Sequence, residues 1–427
     1  MMPALVQWEF TDRCNYRCSH CYHLDQAGNY CHQSELSDEE LWQIAEILAA
    51  NQLFFVTFTG GEPLVRKKLL IEIAWYLNQA GIILSLNTNL VLLDEETLGE
   101  LKVHRILVSC PATDTVVYRE VTGGDYAVFE SKLKMVIEAK KEFTVNMVIS
   151  QRNRHLIRDT AAHLAGLGIK RFAATPMSLN AGNPRFDLVI SRDETFRAIE
   201  DLVWVHEAFG LEVDIMESIP KCLMPKRAFE LCLPFVYRSC HAGGRNGTIS
   251  TSADIRPCSH NPQIFGNLLM EDIGDIWDRM QGWRQQTSNQ HMDCLSCDLF
   301  TRCGGGCRID AQVRTGESSG KHPYMTERPG SIIVEPEPVP MSPETTIRPV
   351  HSFQSRRENG GWLVAPGSSR NIIEVNETLY QFLVATRHQP PMTFQAIAEK
   401  FGTTFNDPEY QRIMQMLMRK RFFVLTQ

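Results

Sequence analysis

The sequence predicts an α/β protein: a parallel sheet over the first half, open or closed into a barrel, then a cysteine-rich stretch, then a small separate module. Three observations carry this expectation. From residue 5 to about 216, short apolar runs alternate with longer amphipathic ones. Most of the thirteen cysteines fall in two groups, at 14–21 and 240–307. Seven prolines between Lys321 and Pro349, including EPEPVPMSP, mark an extended connector before the final module of about 80 residues.

Taken in order, the strand candidates are VQWEF, FFVTFT, IILSLNT, RILVSC, TVNMVIS and KRFAATP. Helical patterns lie at about 37–50, 66–80, 94–102, 128–142, 154–167 and 191–209. Six β/α units imply a parallel sheet, with ligands expected at the carboxyl ends of its strands. Near residue 217 the alternation stops, and the loop-rich stretch up to Cys307 lacks the apolar periodicity to fold without staples. Past the prolines come two short extended pieces around a GG turn (HSFQSRRENGGWLVAPG). Three helical patterns follow: VNETLYQFLVATR, FQAIAEKFG and PEYQRIMQMLMRKRF.

Composition narrows the function. With 43 Lys+Arg against 50 Asp+Glu the formal charge is −7, so the whole-molecule basic footprint of a nucleic-acid binder is missing. The 43% hydrophobic and 22% charged content excludes wholesale disorder. No stretch approaches the roughly 20 apolar residues that span a bilayer, and MMPALVQWEF lacks a signal-like basic start and apolar core. The expectation is a cytoplasmic, reduced chain, in which clustered cysteines serve as metal ligands or catalytic thiols.

The first group is Cys14-Asn-Tyr-Arg-Cys18-Ser-His-Cys21, directly after the first strand. Three thiolates on one tight loop suit an iron–sulfur cluster with one iron left open, and a three-cysteine zinc site is the alternative. The second strand ends in Gly60-Gly61-Glu62-Pro63, where glycines permit close approach to the backbone and the carboxylate can accept from an ammonium group. The third ends in Asn87-Thr88-Asn89 and the fourth in Ser109, so polar groups recur at strand ends.

CxxxCxxC after strand one and GGEP after strand two resemble the radical S-adenosylmethionine superfamily, and the resemblance covers roughly the first 215 residues. It implies a partial (β/α)6 TIM-like barrel and a [4Fe-4S] cluster on Cys14, Cys18 and Cys21, whose open iron chelates S-adenosylmethionine. Reductive cleavage then yields a 5′-deoxyadenosyl radical. It also implies His20 beside the adenine, Gly60, Gly61 and Glu62 at the methionine amino group, and Ser109 at the ribose, with Asn89 and Asn153 as further contacts.

In the second group, Cys240 and Cys258 precede Cys294-x2-Cys297-x5-Cys303-x3-Cys307. Alone this stretch would read as zinc sites. Beside a radical barrel it resembles the SPASM extension, which implies two auxiliary [4Fe-4S] clusters, three clusters in all. The resemblance assigns Cys240, Cys258 and Cys307 to cluster I and Cys294, Cys297 and Cys303 to cluster II. Each then lacks a fourth ligand. For cluster I, Cys232 or Cys222 lies upstream, with Cys232 preferred. For cluster II, the pattern's closing cysteine is replaced by His322-Pro323-Tyr324-Met325, leaving Asp310, His322, Met325 or an open iron. The small residue before the second cysteine is Ala253 rather than glycine. Cys31 and Cys110 have no partner by spacing and are expected to be inert.

The C-terminal pattern could be a winged helix on DNA, but residues 351–427 carry only nine Lys+Arg against six Asp+Glu. Instead it resembles the PqqD-like leader-peptide-binding (RiPP recognition) domain. There an edge strand accepts an extended peptide and a helix supplies pockets. The expected organisation is 1–218 barrel, 219–325 SPASM domain, 326–349 linker and 350–427 small winged-helix-like peptide-binding domain.

The expected function is a radical S-adenosylmethionine oxidoreductase acting on a ribosomally made precursor peptide with a leader, to form a crosslink, thioether or carbon–carbon bond or to excise backbone. It would draw electrons from an external flavodoxin or ferredoxin, with no nucleic-acid or membrane partner. The alternatives are a maturase of a protein or tetrapyrrole-type cofactor, and a non-catalytic iron–sulfur sensor with a DNA-binding tail.

Overall fold

A strict two-residue alternation governs the early strands. In β1 (Leu5–Thr11) Val6, Trp8 and Phe10 enter the apolar core, while Gln7, Glu9 and Thr11 take the opposite face. The same holds in β2 (Phe55–Gly60), β3 (Ile83–Thr88) and β5 (Phe143–Ile149), whose core faces present Val56 and Phe58, Leu84 and Leu86, and Val145, Met147 and Ile149. Parallel sheets buried on both faces read as continuous apolar runs. Here Thr57, Thr59, Ser85, Asn87 and Asn146 share the other face, which is that of a concave polar lumen.

The computed structural model describes residues 2–24, 35–182, 184–280, 283–284, 291–326, 339–358, 360–367 and 371–426. Cys31 and the prolines at 329, 336 and 338 lie outside them. Two compact units result, Met2–Val334 and, apart from the initial methionine, Glu335–Gln427.

In the first unit, β4 (Arg105–Ser109), β6 (Arg171–Pro176) and β7 (Glu212–Asp214) continue a parallel run from β1 in sequence order. All six expected strands are present. The seventh, three residues long, is too short for its periodicity to show. Expected and observed helices coincide at α1 (Asp38–Ala50), α2 (Lys67–Gln79) and α3 (Glu95–Glu100). The first is started by a capping box of Ser37 and Glu40. An unexpected α4 (Thr115–Thr122) follows, then the expected α5 (Tyr126–Glu138), α6 (Ile157–Gly166) and α7 (Arg192–Phe209). The β-branched residues in TVVYREVT disguise α4 as a strand, but Asp114 caps its start through the amides of Val116 and Val117, and Gly123 ends it in the left-handed conformation.

The stretch after residue 217 does not stand apart from the barrel. Its strand β8 (Asn246–Ile249) pairs in parallel with β1 on the side away from β2, and β9 (Asp254–Arg256) and β10 (Gly266–Asn267) add antiparallel. The result is one ten-stranded sheet in the order β10-β9-β8-β1-β2-β3-β4-β5-β6-β7, unclosed at β7 and β10. Ala253, at the position where glycine was the expected residue, holds φ +66 in the left-handed region that favours glycine.

The second unit contains two three-stranded sheets. Strands Phe353–Glu358, Gly361–Pro366 and Ile373–Val375 form an antiparallel meander, with Phe353–Glu358 at one edge. Thr346–Pro349, placed in the linker by sequence, is instead the central strand of the other sheet, between Met392–Thr393 and Phe423–Leu425. Its two alternating inward residues, Ile347 and Pro349, are buried, which a proline-rich composition conceals. The three expected helices span Glu377–Thr386, Phe394–Lys400 and Pro408–Arg419. Asn376 of VNETLYQFL is the N-cap of the first, accepting from Leu379 N at 2.9 Å. Trp362 stacks on Tyr380 with ring centroids 3.8 Å apart.

Candidate active site and auxiliary cysteine sites

The chain leaves β1 at Thr11 and immediately forms the loop that carries Cys14, Cys18 and Cys21. Its backbone is gripped from two sides. On one, Gly61 N donates to Thr11 O at 2.7 Å and Glu62 N to Arg13 O at 2.8 Å. A Cβ on Gly60 would stand 2.4 Å from Thr11 O, and one on Gly61 2.3 Å from Arg13 O. Gly60 also has φ +116. These glycines therefore admit the cysteine loop itself. On the other side, α4 offers its last carbonyls: Arg17 N donates to Thr122 O (3.2 Å) and Ser19 N to Val121 O (2.8 Å). Sequence reasoning missed this support because it missed α4; the DTVVYREVTGG cap pair was the available signal.

Glu62 is 1% exposed and already occupied. It accepts from Leu64 N (3.1 Å), the Thr88 hydroxyl (2.9 Å) and Asn89 N (2.7 Å), tying the end of β2 to the end of β3. Burial pushes its carboxyl up to about 7, against those three hydrogen bonds. Asn89 in turn donates to Asn15 Oδ1 at 2.8 Å and approaches Cys14 Sγ at 3.9 Å. Burial, and then the neighbouring Cys21 and Cys14, push the Cys18 thiol up, so the three thiols stand as one electrostatic group.

A small cavity opens beside them, lined by Tyr16, Cys18, His20, Asn89, Ser109 and Asn146, with Cys110 and Pro111 also in its wall. Four sequence candidates meet here. Burial lowers His20 to about 4, and its Nδ1 is out of reach of solvent and has no hydrogen-bond partner. Such an orphan fits a polar ligand group. Asn153 is not part of the lining. Both its amide hydrogens are spent on Pro111 O (2.8 Å) and Val148 O (2.9 Å), and its oxygen accepts from Ser150 N at 2.7 Å. It braces the ends of β4 and β5. Cys110 is wholly buried, its thiol against Ala112 O, in keeping with an inert thiol.

The second group of cysteines separates in space. Cys240, Cys258 and Cys307 act on one another electrostatically, together with Glu217; burial comes first in pushing the Cys258 and Cys307 thiols up, Cys258 to about 12, while Cys240 lies at the surface. Cys232, the expected fourth ligand of cluster I, is exposed, as is Cys240, and lies at φ +51 after the short helix Lys226–Glu230.

Cys294, Cys297 and Cys303 line a separate cavity of about 450 Å³. Cys222 lines it too, with Leu299, Phe300 and Met325. Of the substitutes expected for cluster II, Met325 is present, its Sδ 3.7 Å from Cys294 Sγ. Asp310 and His322 instead face each other at 3.7 Å, and Asp310 accepts from Leu179 N at 2.7 Å. Among the described residues no three His, Cys, Asp or Glu side chains converge as ligands of a single metal ion, which is the geometry a zinc site needs. Thiolates on an iron–sulfur cluster bind different irons and need not converge.

The polar lumen carries buried charge. Glu9, 2% exposed, pairs with Arg256 across β1 and β9, and burial holds its carboxyl above the usual range. Arg238 pairs with Asp214 at 2.5 Å. Among the described residues no helix is long and apolar enough to cross a membrane.

Comparison with known proteins agrees with this geometry. Residues 8–164 match the model of the Radical SAM superfamily. An AdoMet-dependent heme synthase of Methanosarcina barkeri is 25% identical over 354 residues, 77% of this chain and 97% of that protein. A PqqA peptide cyclase of Rhodopseudomonas palustris is 26% identical over 355 residues, 77% of this chain and 88% of that protein. Among solved structures, Streptococcus suis SuiB bound to precursor peptide SuiA superposes with TM-score 0.61 at 19% identity, covering 75% of each chain. The first unit thus has the partial-barrel fold, with its match to the Radical SAM superfamily model confined to residues 8–164, and the chain is an enzyme.

Proposed function

We propose that this enzyme oxidatively modifies a ribosomally made precursor peptide. The observation that carries this reading is the cavity where Cys18, His20, Asn89 and Ser109 meet beside the cysteine loop, at the carboxyl ends of the strands. Beside it the thiols of Cys14, Cys18 and Cys21 suit a [4Fe-4S] cluster, and the orphaned His20 Nδ1 and exposed Ser109 offer polar contacts to a nucleoside. A cluster and S-adenosylmethionine held there would, with one electron from an external donor, supply a radical able to remove a substrate hydrogen atom.

The chain's own residues do the rest. Gly60 and Gly61 hold the loop against β1, Asn89 fixes Asn15 beside Cys14, and Asn153 keeps the β4 end beside Ser109. The lumen, with Glu9–Arg256 and Arg238–Asp214, presents fixed charges for a polar backbone. In the second unit, the edge strand Phe353–Glu358 offers backbone hydrogen bonds to an extended leader, as a PqqD-like domain would. The PqqA peptide cyclase similarity and the SuiB–SuiA fold likeness support a peptide substrate.

The test is anaerobic turnover with dithionite, S-adenosylmethionine and the peptide encoded beside the gene. Expected are 5′-deoxyadenosine and a peptide lighter by two hydrogens. Cleavage without any change in the peptide would leave the second reading, maturation of a tetrapyrrole-type cofactor, which the heme synthase similarity favours.

A further inference from the structure

We propose that Cys222 supplies the fourth thiolate of the second auxiliary site, from upstream, where the SPASM pattern draws it from downstream. This rests on the reading of Cys294, Cys297 and Cys303 as cluster ligands. The residues fit that group by their chemistry: four soft thiols, Cys222, Cys294, Cys297 and Cys303, line one largely apolar cavity.

Cys222 sits in the short 3-10 turn Lys221–Leu223, which follows Pro220. That turn is anchored on both sides. The buried Lys221 ammonium donates to Phe235 O (2.8 Å) and Arg238 O (2.5 Å), and Lys221 N donates to Cys303 Sγ at 3.2 Å. The segment that replaces the closing cysteine lies against it, with the Thr326 hydroxyl donating to Cys222 O at 2.8 Å and Thr326 N to Cys222 Sγ at 3.5 Å. So the chain brings a thiol to the place where the pattern's last cysteine is missing. Met325 competes by position, but a neutral thioether is a weaker ligand for cluster iron than a thiolate. Four thiolates leave no open iron, so this second site would transfer electrons and would not bind a substrate group.

The test uses the full chain, reconstituted anaerobically with iron and sulfide. Cys222→Ala is expected to lose between about one and four iron atoms per chain and to change the electron paramagnetic resonance signal of the reduced protein. Met325→Leu is expected to keep its iron. If Cys222→Ala does not fold, Cys222→Ser should keep its iron with a shifted signal, since an alkoxide is a harder ligand. Unchanged iron and signal in Cys222→Ala, or an unchanged signal in Cys222→Ser, overturns the proposal. So does loss of the iron from Met325→Leu alone. A Cys294→Ala, Cys297→Ala double variant separates the two levels. If it loses about four iron atoms while Cys222→Ala loses none, only the Cys222 assignment falls. If the unaltered chain holds only about four in total, the auxiliary-cluster reading itself falls.

Discussion

The two cysteine regions are built on opposite principles. Cys14, Cys18 and Cys21 lie within eight consecutive residues, and the fold's task is to seize that one loop between Gly60–Glu62 and the end of α4. Cys222, Cys294, Cys297 and Cys303 come from segments some 70 to 80 residues apart, and only packing of the 3-10 turn against 294–326 creates their cavity. A local motif can be read from spacing, whereas a ligand set closed by tertiary contact cannot.

The largest expected effect tests the local site. Cys18→Ala should abolish 5′-deoxyadenosine formation, a loss of at least about 1,000-fold by chromatography, because no other thiol can take its place on the loop. Substitution at the gripping glycines comes next. Gly61→Ala would drive a methyl against Arg13 O, costing about 3 kcal/mol in chemical denaturation and at least tenfold in S-adenosylmethionine cleavage. A Gly61→Ala protein of unchanged stability and rate would break the contrast, since the loop would then not need its grip.

The brace at Asn153 should be intermediate. Asn153→Ala strands Pro111 O and Val148 O and should cost about 2 kcal/mol. Its effect should fall on stability and on the Michaelis constant for S-adenosylmethionine more than on the cleavage rate at saturation. A pure rate effect would return Asn153 to ligand contact.

A further effect concerns pH. Burial raises Glu62 from its ordinary 4.5 to about 7, so as pH rises the unfolded chain ionises first and the folded chain is penalised. The wild type should therefore lose stability relative to Glu62→Gln between pH 4.5 and about 7, by about 3 kcal/mol at most, and keep a constant difference above that range. A flat difference across the window would mean that the three hydrogen bonds hold the carboxylate ionised.

Much of the first unit was legible because its signals are local. Period-two alternation in VQWEF and FFVTFT and a cysteine triplet after a strand each act over fewer than about ten residues. α4 was lost because its cap signals were weaker than the β-branched residues between them. The strand Thr346–Pro349 was lost inside a proline-rich run, since its pairing partners lie 40 to 80 residues away.

By itself the sequence determined the alternating sheet, the cysteine loop and the glycines after the second strand. These follow from backbone periodicity and side-chain chemistry, which are properties of neighbours along the chain. Only the tertiary structure decided that Gly60 and Gly61 face the chain's own loop, that Asn153 is fully spent as a brace, that the cysteine-rich stretch extends the barrel sheet, and that Cys222 joins the second cavity. Each of these depends on which backbone groups meet across long sequence separations, where hydrogen-bond saturation and steric exclusion act without leaving a mark on local spacing.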